Sequence, residues 1–118
     1  MIQNTIIDSV RAELSMISSN SVTWPTEDLR IYVLDGIAMI HADAPESRLD
    51  NRGRILSISE HPYADAAELP LDRMYRNALI QFVLYRCFLK DSEDARDLER
   101  ARAHFASYQS IVNKGPAQ

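Results

Sequence analysis

Three histidines and one cysteine are the residues of this chain best suited to metal binding or nucleophilic catalysis. His41, His61 and His104 stand on separate segments, so a zinc site would require them to converge in space. Cys87 lies within an apolar helical pattern, where a buried and inert thiol is the expected state. None of these residues stands in a spacing that by itself indicates catalysis or metal binding.

The sequence also lacks the motifs of phosphate binding and of triad catalysis. Its glycines, Gly36, Gly53 and Gly115, are too far apart to form a phosphate-binding loop. No serine, histidine and acid stand out as a triad, although a triad cannot be read from spacing alone. We therefore predict a protein without enzymatic activity, cofactor or metal.

One charged residue occupies an unusual place, because Arg86 lies in the most apolar stretch of the chain. A buried arginine must be paired, and the preceding helix offers Asp35 and Asp43 as candidate partners. Alternatively, the side-chain stem lies along the core while the guanidinium reaches water. We expect a structural ion pair rather than a binding site, with Arg86 and Asp35 as the candidate pair.

Size and composition indicate one globular domain: 118 residues, 46% hydrophobic and 25% charged. The single cysteine excludes an intramolecular disulfide framework, and no apolar run is long enough to span a membrane. The first residues do not resemble a signal peptide, so we expect a soluble, cytosolic protein. The net charge of −4, with bases and acids interleaved, argues against a dedicated nucleic-acid binder.

Hydrophobic periodicity predicts an all-α domain of four helices. The first runs from about Ile2 to Ile17, and the second begins near Thr26 and closes at Ala44-Pro45. The second helix should bury one stripe: Leu29, Tyr32, Val33, Gly36, Ile37 and Ile40. Its glycine suggests close approach of another backbone.

The third predicted helix, over 75–89, is apolar on most of its circumference and should therefore be central. A break at Asp91-Ser92 precedes a fourth helix, which Gly115-Pro116 ends. Between the second and third helices, 45–69 is predicted as an irregular loop or a short β segment. A strand over 54–59 would have no partner in its own chain, so it is either an extended loop or pairs with another protein or copy.

Several segments carry a family resemblance. The first comprises Trp24, Leu29, Tyr32 and Asp35, with the helix exit His41-Ala42-Asp43-Ala44-Pro45. The second comprises Leu69-Pro70-Leu71, Tyr75, Ala78-Leu79, Val83-Leu84-Tyr85-Arg86 and Lys90-Asp91-Ser92-Glu93-Asp94. The third comprises Arg100-Ala101, His104-Phe105 and Tyr108. Together they resemble tailed-phage head–tail adaptor (connector) proteins, although the long β-rich insertion of many such adaptors is reduced here to 45–69.

The resemblance implies a structural virion protein of the neck, assembled in the host cytoplasm. Its partners would be the portal protein, tail or nozzle proteins and other copies of itself in a dodecameric ring. DNA would pass through without specific binding, and no membrane would be involved. Two alternatives remain: a small helical protein-interaction or regulatory module without catalytic activity, and a compact helical nucleic-acid binder.

The candidate interface lies in the irregular segment. The chain has 11 Arg against 2 Lys, and arginine suits planar, bidentate contacts at interfaces. We predict that the following residues contact a neighbouring subunit or the portal: Arg48, Arg52, Arg54, Ile55 and Ile58.

Overall fold

The computed structural model describes residues 3–17, 25–49, 53–55, 69–90 and 95–114. These residues form four helices: α1 (Gln3–Ile17), α2 (Thr26–Asp43), α3 (Arg76–Lys90) and α4 (Ala95–Lys114). No strand of a sheet occurs within these ranges. The predicted all-α, four-helix domain is confirmed.

Helix α2 follows its sequence signals closely. It begins directly after Pro25, whose carbonyl accepts a hydrogen bond from the Leu29 amide at 3.2 Å. It ends before Ala44, whose amide donates to Ile40 O at 2.7 Å. Its buried face is the predicted one: Leu29, Tyr32, Val33, Gly36, Ile37 and Ile40.

Helix α3 packs against each of the other three helices, which is the central position that its apolar circumference predicts. It buries residues on nearly every side: Ala78, Leu79, Ile80, Phe82, Val83, Leu84, Cys87 and Phe88. Tyr75, predicted as part of this helix, lies instead in the short 3-10 turn Arg73–Tyr75 that leads into it. Helix α3 therefore lies at the centre of the domain, with α2 and α4 packed against it.

The contact between α2 and α3 is closest at Gly36. A Cβ added there would lie 2.7 Å from Leu79 Cδ1 and 2.9 Å from Phe82 Cδ1. The predicted close approach therefore exists, but the expectation of a neighbouring backbone is wrong, because the nearest atoms belong to side chains. Both of these side chains are buried, so neither can move aside freely.

We expect Gly36→Val to lower the free energy of unfolding by about 2 kcal/mol, because overpacking forces buried side chains to shift. Urea denaturation followed by circular dichroism measures the change. The matched control is Ala42→Val at an exposed position of the same helix. Equal unfolding midpoints for the two variants would contradict the close contact.

The segment between α2 and α3 is irregular where it is described. It begins with the 3-10 turn Pro45–Arg48, and Leu49 then forms a single antiparallel bridge with Ile55. Gly53, between them, has a φ of 77°, a conformation that favours glycine. The expectation that Ile55 lacks a pairing partner in its own chain is therefore wrong, because Leu49 of the same chain forms this bridge with it. The remainder of the predicted strand, 56–59, lies outside the described residues.

Candidate protein-interaction site

The segment that connects α2 to α3 is described at 44–49, 53–55 and 69–72, and we call it the connecting segment. Its two ends are joined to each other by a hydrogen bond. The Asp72 amide donates to Ser47 O at 3.0 Å, which joins the two ends of the segment. His41 Nε2 lies 2.7 Å from Pro70 O, and since a carbonyl can only accept, this nitrogen carries the proton. Both ends are thereby fixed to the helical domain.

A hydrogen bond from Tyr75, just before α3, also fixes the start of the connecting segment. The Tyr75 hydroxyl donates to Glu46 Oε1 at 3.1 Å. Burial, together with this hydrogen bond, raises the pKa of Tyr75 to about 12. Leu69 and Leu71 are buried in the core, so the part of the segment that leads into α3 is also anchored by apolar contact.

The predicted interface residues lie between Ser47 and Asp72, the two joined ends of the connecting segment. Ile55 is 79% exposed, the highest value among the large hydrophobic side chains in the described ranges. Arg54 beside it and Arg48 at the end of the first turn are also exposed. The Leu49–Ile55 bridge brings the stretches that carry the two arginines side by side. Arg52 and Ile58 lie outside the described residues.

The Arg86 guanidinium bonds to Asp35, with 3.0 Å between Nη1 and Oδ2. It also lies over the Tyr32 ring, 4.9 Å from the centroid. The two side chains are 32% and 47% exposed, so this is a surface pair rather than a buried one. Asp43, the other candidate partner, instead accepts a hydrogen bond from the Tyr108 hydroxyl at 2.7 Å.

The Arg86–Asp35 pair lies in an open groove of about 610 Å³. Residues of α2, α3 and α4 form the groove, with α3 at its bottom. The lining residues are Asp35, Ala38, Met39, Phe82, Tyr85, Arg86, Leu89 and Phe105. Within this lining, Met39 is 39% exposed and Leu89 38% exposed. The groove therefore presents apolar side chains to solvent around one ion pair.

Aromatic contacts and a hydrogen bond join the three helices that line the groove. The Tyr85 and Phe105 ring centroids are 4.7 Å apart, and those of Phe82 and Tyr108 are 5.6 Å apart. One helical turn beyond Phe105, the Tyr108 hydroxyl reaches Asp43 and joins α4 to the end of α2. Burial and, to a smaller extent, this hydrogen bond raise the pKa of Tyr108 well above its usual range.

The residues that suggested chemistry are dispersed in the fold. His41 contacts the connecting segment, His104 Nδ1 lies 2.7 Å from Gln81 Oε1, and His61 lies outside the described residues. Burial lowers the pKa of His104, which also stacks on Phe88. Within the described ranges, no three His, Cys, Asp or Glu side chains converge as metal ligands.

None of the helices in the described ranges combines the length and the apolar character that a membrane span requires.

Cys87 is fully buried in α3, and burial raises the pKa of its thiol to about 12. The unfolded thiol ionises near 9, so the unfolded chain loses a proton that the folded chain keeps. We expect the free energy of unfolding to be unaffected by this group below about pH 8 and to fall as the pH rises above it. Urea denaturation between about pH 8 and pH 10 checks this, with Cys87→Ala expected to show the shallower decline. Parallel declines would contradict it.

Comparisons of the chain with protein-family models, with curated proteins and with solved structures found no match. The fold and its surface define an all-α, four-helix domain with an exposed Ile55 on its connecting segment and an open groove between α2 and α4. A function for this chain must therefore be inferred from its own residues.

The groove was not among the features that sequence reasoning singled out. The sequence did contain one weak indication of the groove. Met39 and Leu89 are large apolar residues that lie outside the buried faces of their helices. Phe105 gave no such signal, because its spacing in α4 is that of a core residue. In the fold, Met39 and Leu89 are exposed and Phe105 is half-buried along the groove between α2 and α4.

Proposed function

We propose that this protein is a head–tail adaptor of a tailed phage. In this role it forms a ring, dodecameric as in the family it resembles, between the portal and the tail or nozzle proteins. The ring extends the channel through which DNA passes. The role is structural, so it depends on surfaces and symmetry and requires no catalytic residue.

The connecting segment is the observation that carries this proposal. Its base is tied to the helical domain through Ser47, Asp72 and Tyr75, whereas Ile55 is 79% exposed directly after Arg54. In the proposed ring, a neighbouring copy or the portal covers this apolar side chain, and the exposed arginines beside it make bidentate contacts. An adaptor subunit needs such a surface, because it must contact a neighbouring copy or the portal on each side.

Two further features support the same role. The most specific part of the resemblance to adaptor proteins, the run from Tyr75 to Asp94, includes α3, which is the helix at the centre of this fold. The chain is also acidic, with a net charge of −4, and a ring of acidic subunits would repel the phosphates of passing DNA rather than hold them.

The decisive experiment mixes the purified chain with the portal protein of the same phage and examines the product by electron microscopy. We expect a second ring stacked on the portal. A chain that stays free of the portal would overturn the proposal and favour the interaction or regulatory module. Salt-sensitive DNA binding without portal binding would overturn it in favour of a nucleic-acid binder.

A further inference from the structure

The contact between α3 and α4 includes three pairs of aromatic rings, with one ring of each pair on each helix. They are Phe82 with Tyr108, Tyr85 with Phe105, and Phe88 with His104, with ring centroids 5.6, 4.7 and 5.6 Å apart. In the third pair the rings are stacked, with 6° between their planes. Histidine is the one ring of the six that can gain a positive charge near neutral pH. The packing of α4 on α3 therefore contains a group that titrates in mild acid.

The hydrogen bond of His104 determines which of its nitrogens takes up a proton. Nδ1 lies 2.7 Å from Gln81 Oε1. Because an amide oxygen only accepts, Nδ1 carries the hydrogen of the neutral ring. Nε2 is therefore the atom that gains the second proton. Protonation changes the charge of the ring without breaking the bond that orients it.

The surroundings of His104 favour the neutral ring. The side chain is half-buried, and burial lowers its pKa, while Glu13 of α1 acts in the opposite direction to a smaller extent. On α4, Arg100 lies one turn before His104, and its guanidinium is 5.8 Å from the centre of the same Phe88 ring. Arg100 is paired with Asp97 at 3.1 Å, yet it has the same sign of charge as an imidazolium one turn away. Helix α3 presents a neutral amide and a neutral ring to His104.

We propose that His104 is a pH-sensitive latch between α3 and α4. At neutral pH the uncharged ring stacks on Phe88 and holds α4 against α3. In mild acid the imidazolium needs hydration that its half-buried, stacked position limits, so this part of α4 separates from α3 more often. Tyr108, one turn further along α4, still joins that helix to Asp43 of α2. The latch is a property of the fold that goes beyond the proposed adaptor function and does not depend on it.

The direction of the pH dependence follows from the two positions of the ring. When α4 has separated, the ring is in water and has its ordinary pKa of 6.5. When α4 is packed, the pKa is lower, so below about pH 6.5 the separated state binds a proton that the packed state does not. The separated state therefore gains population as the pH falls through this range. Above the range both states carry a neutral ring, and the latch has no pH dependence.

Two measurements on the full chain test the latch together. The imidazole C–H resonances are titrated by NMR between about pH 4.5 and pH 8, with each histidine assigned by correlation with its backbone. Amide hydrogen exchange along α4 is compared at about pH 5 and pH 7.5, after correction for the intrinsic rate at each pH. His104→Phe keeps a ring on Phe88 and removes the titration. The matched control, His41→Gln, removes a histidine that lies on α2 and bonds to Pro70.

We expect His104 to titrate below 6.5, and the α4 amides before Tyr108 to exchange about threefold to tenfold faster at the lower pH. The same acceleration should occur in His41→Gln and be absent from His104→Phe. A pKa of His104 at or above 6.5 would overturn the inference, and so would an equal acceleration in His104→Phe. Exchange in the wild-type protein that does not change with pH would overturn it without any variant, so the test does not require His104→Phe to fold.

Discussion

Replacement of Tyr108 by alanine is expected to lower the free energy of unfolding by about 3–5 kcal/mol, as for other buried aromatic residues. Tyr108 is fully buried, and its ring contacts Phe82 of α3 and Phe105 of α4. Its hydroxyl bonds to Asp43 at the end of α2. One side chain thus connects three helices, and the loss is a large part of the stability of a domain of this size. Urea denaturation followed by circular dichroism measures the effect.

Tyr108→Phe separates the two contributions of this residue. It keeps the ring and removes only the bond to Asp43, whose exposed carboxylate can be solvated again. We therefore expect Tyr108→Phe to cost about 1 kcal/mol. Ser110→Ala, exposed on the same helix, serves as the neutral control. Equal losses for the alanine and phenylalanine variants would show that the hydrogen bond, and not the ring packing, dominates.

The second large effect concerns assembly rather than stability. We expect R48E/R52E/R54E to abolish formation of a ring on the portal, because it reverses the charge of the whole candidate interface. Arg48 and Arg54 are exposed, so the double variant R48E/R54E should unfold at nearly the wild-type denaturant concentration. Electron microscopy of portal mixtures, together with urea denaturation, separates a lost interface from a lost fold.

The matched control reverses two exposed arginines elsewhere. R96E/R102E on α4 changes the net charge by the same amount as R48E/R54E. If general charge governs assembly, the two double variants will behave alike. If the connecting segment is the interface, only R48E/R54E will fail to form the ring. Ring formation by the triple variant at wild-type yield would show that these arginines do not contact the portal or a neighbour.

The helices could be predicted from the sequence because their signals are local. The buried stripe of α2 and its end at Ala44 follow from helical spacing and from the proline at position 45. The central position of α3 follows from apolar residues around its circumference. Periodicity of this kind depends only on which neighbours share a helix face, so no tertiary information is needed.

The connecting segment could be predicted only in part. The sequence identified it as irregular and marked Arg48, Arg54 and Ile55 as candidates for an interface. It did not reveal the bridge from Ile55 to Leu49 or the ties at the base of the segment. These contacts join residues between 6 and 29 positions apart, and no short-range pattern encodes such pairings.

The sequence by itself determined the number of helices, the face that α2 buries and the helix that lies at the centre. The tertiary structure alone decided that the Arg86–Asp35 pair lies at the surface, that Tyr108 joins α4 to α2, and that Met39 and Phe105 line one groove. The physical reason is that burial of one face follows from the composition of a single helix. A groove depends on the distance and angle between two helices, which the packing of the whole core sets.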